Sequence, residues 1–280
     1  MEKYGKTLRK IRETLQITQI EMSNGIMSQS NYSKMEKGEI DVPFARMVEL
    51  LNRIGMSVNE FLYIHRDYTK DSENQHNRLK SIKPGDKQKM IENINELKAI
   101  TKPSKRQQEL LLIFEAFLLV LDSDYESASE KVEYVWNRLE KHNTWYLYDI
   151  SIINSILYLF PIDVAESIKN LALERIDDYK NFQNTNQLSA NFQINFILML
   201  MENNLYEKAL DKTEKLISFS RKKRLYIHLG ASYVRKGILL QNLKNEEPTY
   251  WFKKGMDILE STNNRALIEE LKIEIKRYSS

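Results

Sequence analysis

The 280-residue chain has no cysteine, which excludes disulfides, thiolate metal sites and cysteine nucleophiles. That absence suits a reducing compartment, and the cytoplasm is the expected location. Glycine and proline are scarce, at 8 and 5 residues, which argues against turn-dense β architectures and for long helices. Histidine occurs only at His65, His76, His142 and His228, with no spacing that suits a metal. A phosphate-binding glycine loop, a nucleophile elbow and a paired-carboxylate constellation are all missing, so neither an enzyme nor a cofactor is expected. Long hydrophobic runs are missing as well. The greasiest stretch, Leu110–Leu121, is too short to span a bilayer and contains Glu115, so it reads as a buried helix. Met1–Leu15 is charged throughout and lacks the apolar segment of a secretory leader, and no membrane partner is expected. The net charge of +3 says little about partners, because local basic clusters matter more than the whole-chain balance.

What the chain does have is helical punctuation. Tyr4, Leu8, Ile11 and Leu15 recur at helical spacing beside a basic set of Lys3, Lys6, Arg9, Lys10 and Arg12. Thr18-Gln19-Ile20-Glu21 is a capping box that opens a second helix, and Asn24-Gly25 stops it. Ser28–Lys37 forms a third helix that ends at Gly38. Asp41 is the expected N-cap of a fourth, with Pro43 in its first turn and Met47, Leu50, Leu51 and Ile54 as its apolar stripe. Gly55 ends that helix, and Ser57-Val58-Asn59-Glu60 opens a fifth through Leu62.

The third helix is the informative one. Tyr32 and Met35 point inward, leaving Gln29, Ser30, Asn31, Ser33 and Lys34 outside. Glutamine and asparagine suit adenine, lysine suits guanine or phosphate, and serine adapts to either. A tight turn before such a helix is the docking scheme of a helix-turn-helix, whose second helix meets base edges. The expected DNA-contacting set is Gln19, Ser28, Gln29, Ser30, Asn31, Lys34 and Lys37. Within it Gln29, Ser30 and Lys34 read bases, and Gln19 bonds a phosphate at its helix N-terminus.

This order of elements over Met1–Leu62 resembles the lambda-repressor-like (XRE-type) family. Closer still, Leu8-Arg9-Lys10-Ile11-Arg12, Gly25-Ile26-Met27-Ser28-Gln29-Ser30, Ser33-Lys34-Met35-Glu36-Lys37-Gly38 and Val58-Asn59-Glu60-Phe61-Leu62 resemble the Rgg/GadR/MutR regulators. The connection before Ser28 is one residue shorter than in phage-type repressors, in keeping with the Rgg-like form. Some relatives bridge subunits through a cysteine in this domain, which this chain cannot do. The resemblance implies a structural ion pair between Arg12 and Glu36. It also implies a transcription regulator that answers a short secreted peptide in quorum signalling.

Tyr63 to about Ser81 is polar and reads as a hinge, followed by turns at Lys83-Pro84-Gly85-Asp86 and Lys102-Pro103-Ser104. Beyond these an echo recurs: Asp124-Tyr125-Glu126-Ser127-Ala128, Pro161-Ile162-Asp163-Val164-Ala165, Leu205-Tyr206-Glu207-Lys208-Ala209 and Glu247-Pro248-Thr249-Tyr250-Trp251. The period of about forty residues is near that of tetratricopeptide-like helix pairs, without their full consensus.

The expected architecture is therefore all-α, with a lambda-repressor-like domain at 1–66 and connecting helices at 67–103. A tetratricopeptide-like α-solenoid for ligand sensing and dimerisation follows at 104–280. Asn154, Asn191, Asn195 and Arg235 interrupt apolar helices that would line the concave face. With Tyr148, Phe192, Tyr226 and Tyr233 they form the expected ligand groove, the asparagines clamping a peptide backbone and Arg235 a carboxylate. Expected partners are double-stranded promoter DNA, a short peptide, RNA polymerase, and a second copy of the chain held through the helix around Leu267–Ile275. The alternative is a helical-repeat domain that binds a folded protein instead of a peptide.

Overall fold

The structure, a computed structural model, describes residues 4–68, 86–182, 184–244 and 248–278. The chain divides into two compact units, Met1–Asn77 and Arg78–Ser280, and all the regular elements described are helical. No helix among the described residues is long and apolar enough to cross a membrane.

The first unit has five helices: α1 (Tyr4–Thr14), α2 (Gln19–Ser23), α3 (Gln29–Lys37), α4 (Phe44–Arg53) and α5 (Val58–His65). Leu8, Met22, Tyr32, Met35, Leu50 and Phe61 bury themselves together, one or two from each helix. Gly5 lets α1 approach α3, since a Cβ built there would lie 1.8 Å from the Met35 carbonyl oxygen. Local signals set most boundaries. Thr18 and Glu21 form the capping box, Ser57 accepts the Glu60 N–H at 3.1 Å, and Gly25, Gly38 and Gly55 take φ of +72°, +72° and +67°. The start of α4 departs from expectation: Pro43, not Asp41, precedes its first residue, and no side chain caps it. Proline's fixed φ suits a helix entrance, and Phe44, Ala45 and Arg46 are exposed, so the N–H groups of the first turn can bond water in place of a side-chain cap.

The second unit contains α6 (Lys87–Lys98), α7 (Lys105–Leu121), α8 (Tyr125–Glu140), α9 (Leu147–Ile156), α10 (Ile162–Asp177), α11 (Thr185–Glu202), α12 (Tyr206–Lys222), α13 (Tyr226–Asn242), α14 (Pro248–Ser261) and α15 (Arg265–Tyr278). A 3-10 turn, Leu157–Leu159, follows α9. Each recurring turn read from the sequence opens one of α8, α10, α12 and α14, and each of these packs on neighbours in chain order. Alternate helices α9, α11, α13 and α15 also touch one another and form a second, continuous layer. Ala128, Ala165 and Ala209 are fully buried where helices meet. At the α13–α14 crossing glycines do this work: a Cβ on Gly255 would lie 2.6 Å from the Gly230 carbonyl oxygen.

Two expectations for the region before the repeats change. Residues 69–85, including most of the expected hinge and most of the turn at Lys83–Asp86, lie outside the described residues. Helix α6, placed by sequence in a connecting segment, belongs to the second unit, because Ile94 and Leu97 are buried in its core. Helix α7 is buried along Leu110, Ile113, Phe114 and Ala116, while Glu115 reaches Lys98 and Lys131 at 2.9 Å each.

Candidate functional site

In the first unit the polar side chains of α1, α2 and α3 join in one hydrogen-bonded chain. The Arg12 guanidinium grips the Glu36 carboxylate at both oxygens, Nε to Oε1 at 2.6 Å and Nη2 to Oε2 at 3.0 Å. The implied tie between helices is thus present. Gln19 Nε2 donates to Glu36 Oε2 at 2.7 Å, and Gln29 Nε2 donates to Gln19 Oε1 at 2.7 Å. Glu36 is buried, which by itself would raise its pKa; the hydrogen bonds from Arg12 and Gln19 prevail and hold it below the ordinary value. Gln29, Ser30, Asn31, Lys34 and Lys37 are exposed on the outer side of α3. Ser28 has a different place from its six companions: it N-caps α3, its hydroxyl accepting from the Asn31 N–H at 3.3 Å. The Gln19 side chain is likewise engaged at both ends inside the protein, so a phosphate bond would have to come from its backbone.

Helix α4 secures the turn between α2 and α3. When Gly25 leaves the helical conformation, the Glu21 and Met22 carbonyls lose their intrahelical donors. Arg53 Nη1 bonds both, at 2.7 and 3.3 Å, and Arg46 Nη1 bonds the Ile26 carbonyl. Composition marks both arginines only as basic surface residues. Their role depends on two elements meeting.

In the second unit the expected ligand residues split into those brought together and those taken elsewhere. Asn195 Nδ2 on α11 donates to Asn154 Oδ1 on α9 at 3.3 Å. Asn191 Oδ1 meets His228 Nε2 on α13 at 2.7 Å, and burial, aided by the Arg235 charge, lowers the His228 pKa. Arg235 on α13 already holds a carboxylate bidentately, that of Glu274 on α15, at 2.8 and 3.0 Å. At the near end, Arg106 and Arg138 both bond Asp149 on α9, and Arg138 also bonds the fully buried Glu109. These rungs form a polar ladder along the layer of alternate helices. Tyr148 lies beside it, half-buried under the Arg106 guanidinium, with burial pushing its pKa up to about 12.

Phe192 is buried in the core, so it cannot wall an open groove. Tyr233 is also buried and turned away: its hydroxyl accepts from Arg221 on α12 at 2.7 Å, and its ring packs on Trp251. On α13 it lies opposite His228 and Arg235 at about 100° per residue. Tyr226 is exposed on that same outer stripe. Sequence reasoning missed Glu274, His228, Arg106, Glu109, Arg138 and Asp149. A usable signal existed for four of the rungs, which join residues 37 to 43 positions apart, close to one repeat, whereas Arg138 lies 29 positions from Glu109 and 11 from Asp149. Among the described residues, no group of acidic and histidine side chains is arranged to hold a metal.

Comparison with known proteins adds the family. The family model for the C-terminal domain of the HTH-type transcriptional regulator Rgg matches residues 88–272. A transcriptional regulator from Listeria monocytogenes EGD-e superposes with a TM-score of 0.83 at 18% identity, over 99% of this chain and 97% of that one. The SHP pheromone receptor Rgg2 of Streptococcus dysgalactiae gives 0.73 at 14% identity, over 98% and 99%. PlcR of Bacillus thuringiensis, in complex with the peptide PapR7 and DNA, gives 0.68 at 21% identity, over 97% and 99%. At these identities the structural likeness is one of fold, whereas the match to the family model spans most of the second unit and all but the ends of its helical repeats. The chain belongs to the Rgg family of HTH-type transcriptional regulators.

Proposed function

We propose that this protein is a cytoplasmic, homodimeric regulator that binds promoter DNA sequence-specifically and is controlled by a short signalling peptide. The hydrogen-bonded chain ending at Gln29 carries the DNA reading. With one N–H engaged by Gln19, Gln29 retains a second N–H and its carbonyl oxygen, the pair that matches the N6 and N7 edge of adenine. Ser30 and Lys34 flank it for neighbouring bases, with Asn31 beside them, and Lys37 suits phosphate. In a dimer two α3 helices would meet half-sites about one DNA turn apart, beside RNA polymerase.

The peptide reading draws support from relatives described as a pheromone receptor and as a peptide complex, and from the ladder itself. Asn154, Asn191 and Asn195 each carry donors and acceptors that a peptide backbone can exchange with. The peptide would control DNA binding only by favouring one of two states over the other. The test selects a binding site from randomised duplexes, then compares wild type with Gln29→Ala plus Lys34→Ala. Site-specific binding should vanish while circular dichroism is unchanged. An unaltered affinity rejects the assignment of α3.

A further inference from the structure

We propose that the outer groove floored by α13 and walled by α12 and α14 is a docking surface for an acidic protein segment. The stretch that builds it is rich in basic residues, twelve lysines and arginines against five acidic residues over 206–254, and three of the twelve, Arg221, Lys236 and Lys254, gather at the groove. The groove also has its own small apolar cluster, apart from the main core, in which Ile217, Leu229 and Tyr233 pack with Trp251 and Ile258. Three cations converge on its rings. Lys254 Nζ lies 4.8, 5.1 and 5.2 Å from the centroids of Tyr233, Tyr250 and Trp251. Lys236 Nζ lies 4.2 Å above Trp251, and Arg221 donates to the Tyr233 hydroxyl.

The balance of these charges is incomplete. Glu214 bonds Lys236 at 2.7 Å. Arg221 and Lys254 bond phenol oxygens, at 2.7 and 3.0 Å, and no carboxylate pairs with either among the described residues. Both keep donors that face water, fixed in place by rings that cannot neutralise them. Around them Tyr226 and Tyr250 are 55% and 52% exposed. A partner that fits must bring carboxylates for Arg221 and Lys254 and apolar side chains for this rim.

Nucleic acid meets only half of that requirement. Lys236 and Lys254 already stand over Trp251 and Tyr233, so bases cannot stack on those faces, and phosphates bring no apolar surface to the rim. A segment in which acidic and apolar residues are interspersed meets both halves. The groove lies on the face of α13 opposite the ladder, so the peptide of the proposed function and this segment would not compete for the same side chains.

The probe is a fluorescein-labelled peptide of Glu-Glu-Leu repeats, titrated by anisotropy with the full-length protein. Arg221→Glu with Lys254→Glu should weaken its binding at least about tenfold, and Arg221→Gln with Lys254→Gln by a smaller factor. Lys141→Glu with Lys180→Glu, on exposed positions outside the groove, should leave it within about twofold. Thermal melts of all four proteins confirm that each is folded. Failure of wild type to bind, or equal losses in both Glu-substituted proteins, overturns the proposal. So does a random-sequence duplex that displaces the peptide and whose own binding falls in the Arg221/Lys254 variant, since the surface would then serve nucleic acid.

Discussion

Glu36 concentrates the consequences of burying one charge. A carboxylate removed from water must find partners, and Arg12 and Gln19 fill three of its lone-pair positions. Removing it leaves Nε and Nη2 of the buried Arg12 guanidinium without their acceptor, while Nη1 keeps the Ile17 carbonyl at 2.8 Å. Glu36→Ala should therefore lower the stability of the first unit by about 3–5 kcal/mol. Hydrogen exchange of α1 and α3 amides is the measurement, and unchanged protection there would contradict it. The Arg12–Glu36 pair was legible in the sequence only through the family resemblance. The link from Gln19 to Gln29 was not, because both residues read equally well as DNA contacts until the turn between them brings their amides together. Arg235 illustrates the reverse. Its chemistry, a bidentate grip on a carboxylate, was legible, while its partner Glu274 was not, being 39 positions away on another helix.

At the scale of the element, the α2–turn–α3 segment depends on α4 for its geometry. Three carbonyls that the turn leaves without helical donors are bonded by Arg46 and Arg53, spaced two turns apart on one side of α4. Basic residues in a DNA-binding unit invite a reading as phosphate contacts, and salt dependence separates the two roles. Arg46→Gln with Arg53→Gln should weaken binding to a selected site, yet leave the slope of log affinity against log salt unchanged. Loss of two phosphate contacts would flatten that slope by about 2. Most helix ends were legible because caps are local: Thr18, Ser57, Gly38 and Gly55 act within a few residues of themselves. The start of α4 misled because Asp41 is a good cap in isolation, but the helix begins only after Pro43, with a first turn exposed to water.

Across the whole molecule, both units contain a buried carboxylate whose pKa is held low. For Asp149, as for Glu36, burial pushes the pKa up, but hydrogen bonds, here from Arg106, Arg138 and the Tyr146 N–H, outweigh it. Each group therefore binds its proton more weakly folded than unfolded. The stability it contributes is complete above the ordinary carboxylate range and is lost as pH falls through its folded pKa. Melting temperature should fall modestly below about pH 6.5, where the unfolded chain protonates His228 more readily than the folded one, and more steeply below about pH 4, where the carboxylates titrate. Asp149→Asn should start lower and fall less steeply in thermal melts of the second unit. An Asp149→Asn profile parallel to wild type would refute the coupling.

Period and local chemistry are properties of the chain as written. The turns near Ala128, Ala165, Ala209 and Trp251, the caps, and the scarcity of glycine and proline specified helices, their ends and their pairing into repeats without reference to anything distant. Which side chains face each other across those repeats was decided by packing, with the repeat spacing of four rungs as its one trace in the sequence. Phe192 and Tyr233 look as available as Asn191 in the sequence; rotation about their helix axes sends one to the core and the other to the outer groove. Helix ends answer to forces acting over a few residues. The partner of a buried polar group is chosen by whichever helix packing brings beside it, from 11 positions away for Asp149 and Arg138 to 43 for Asp149 and Arg106.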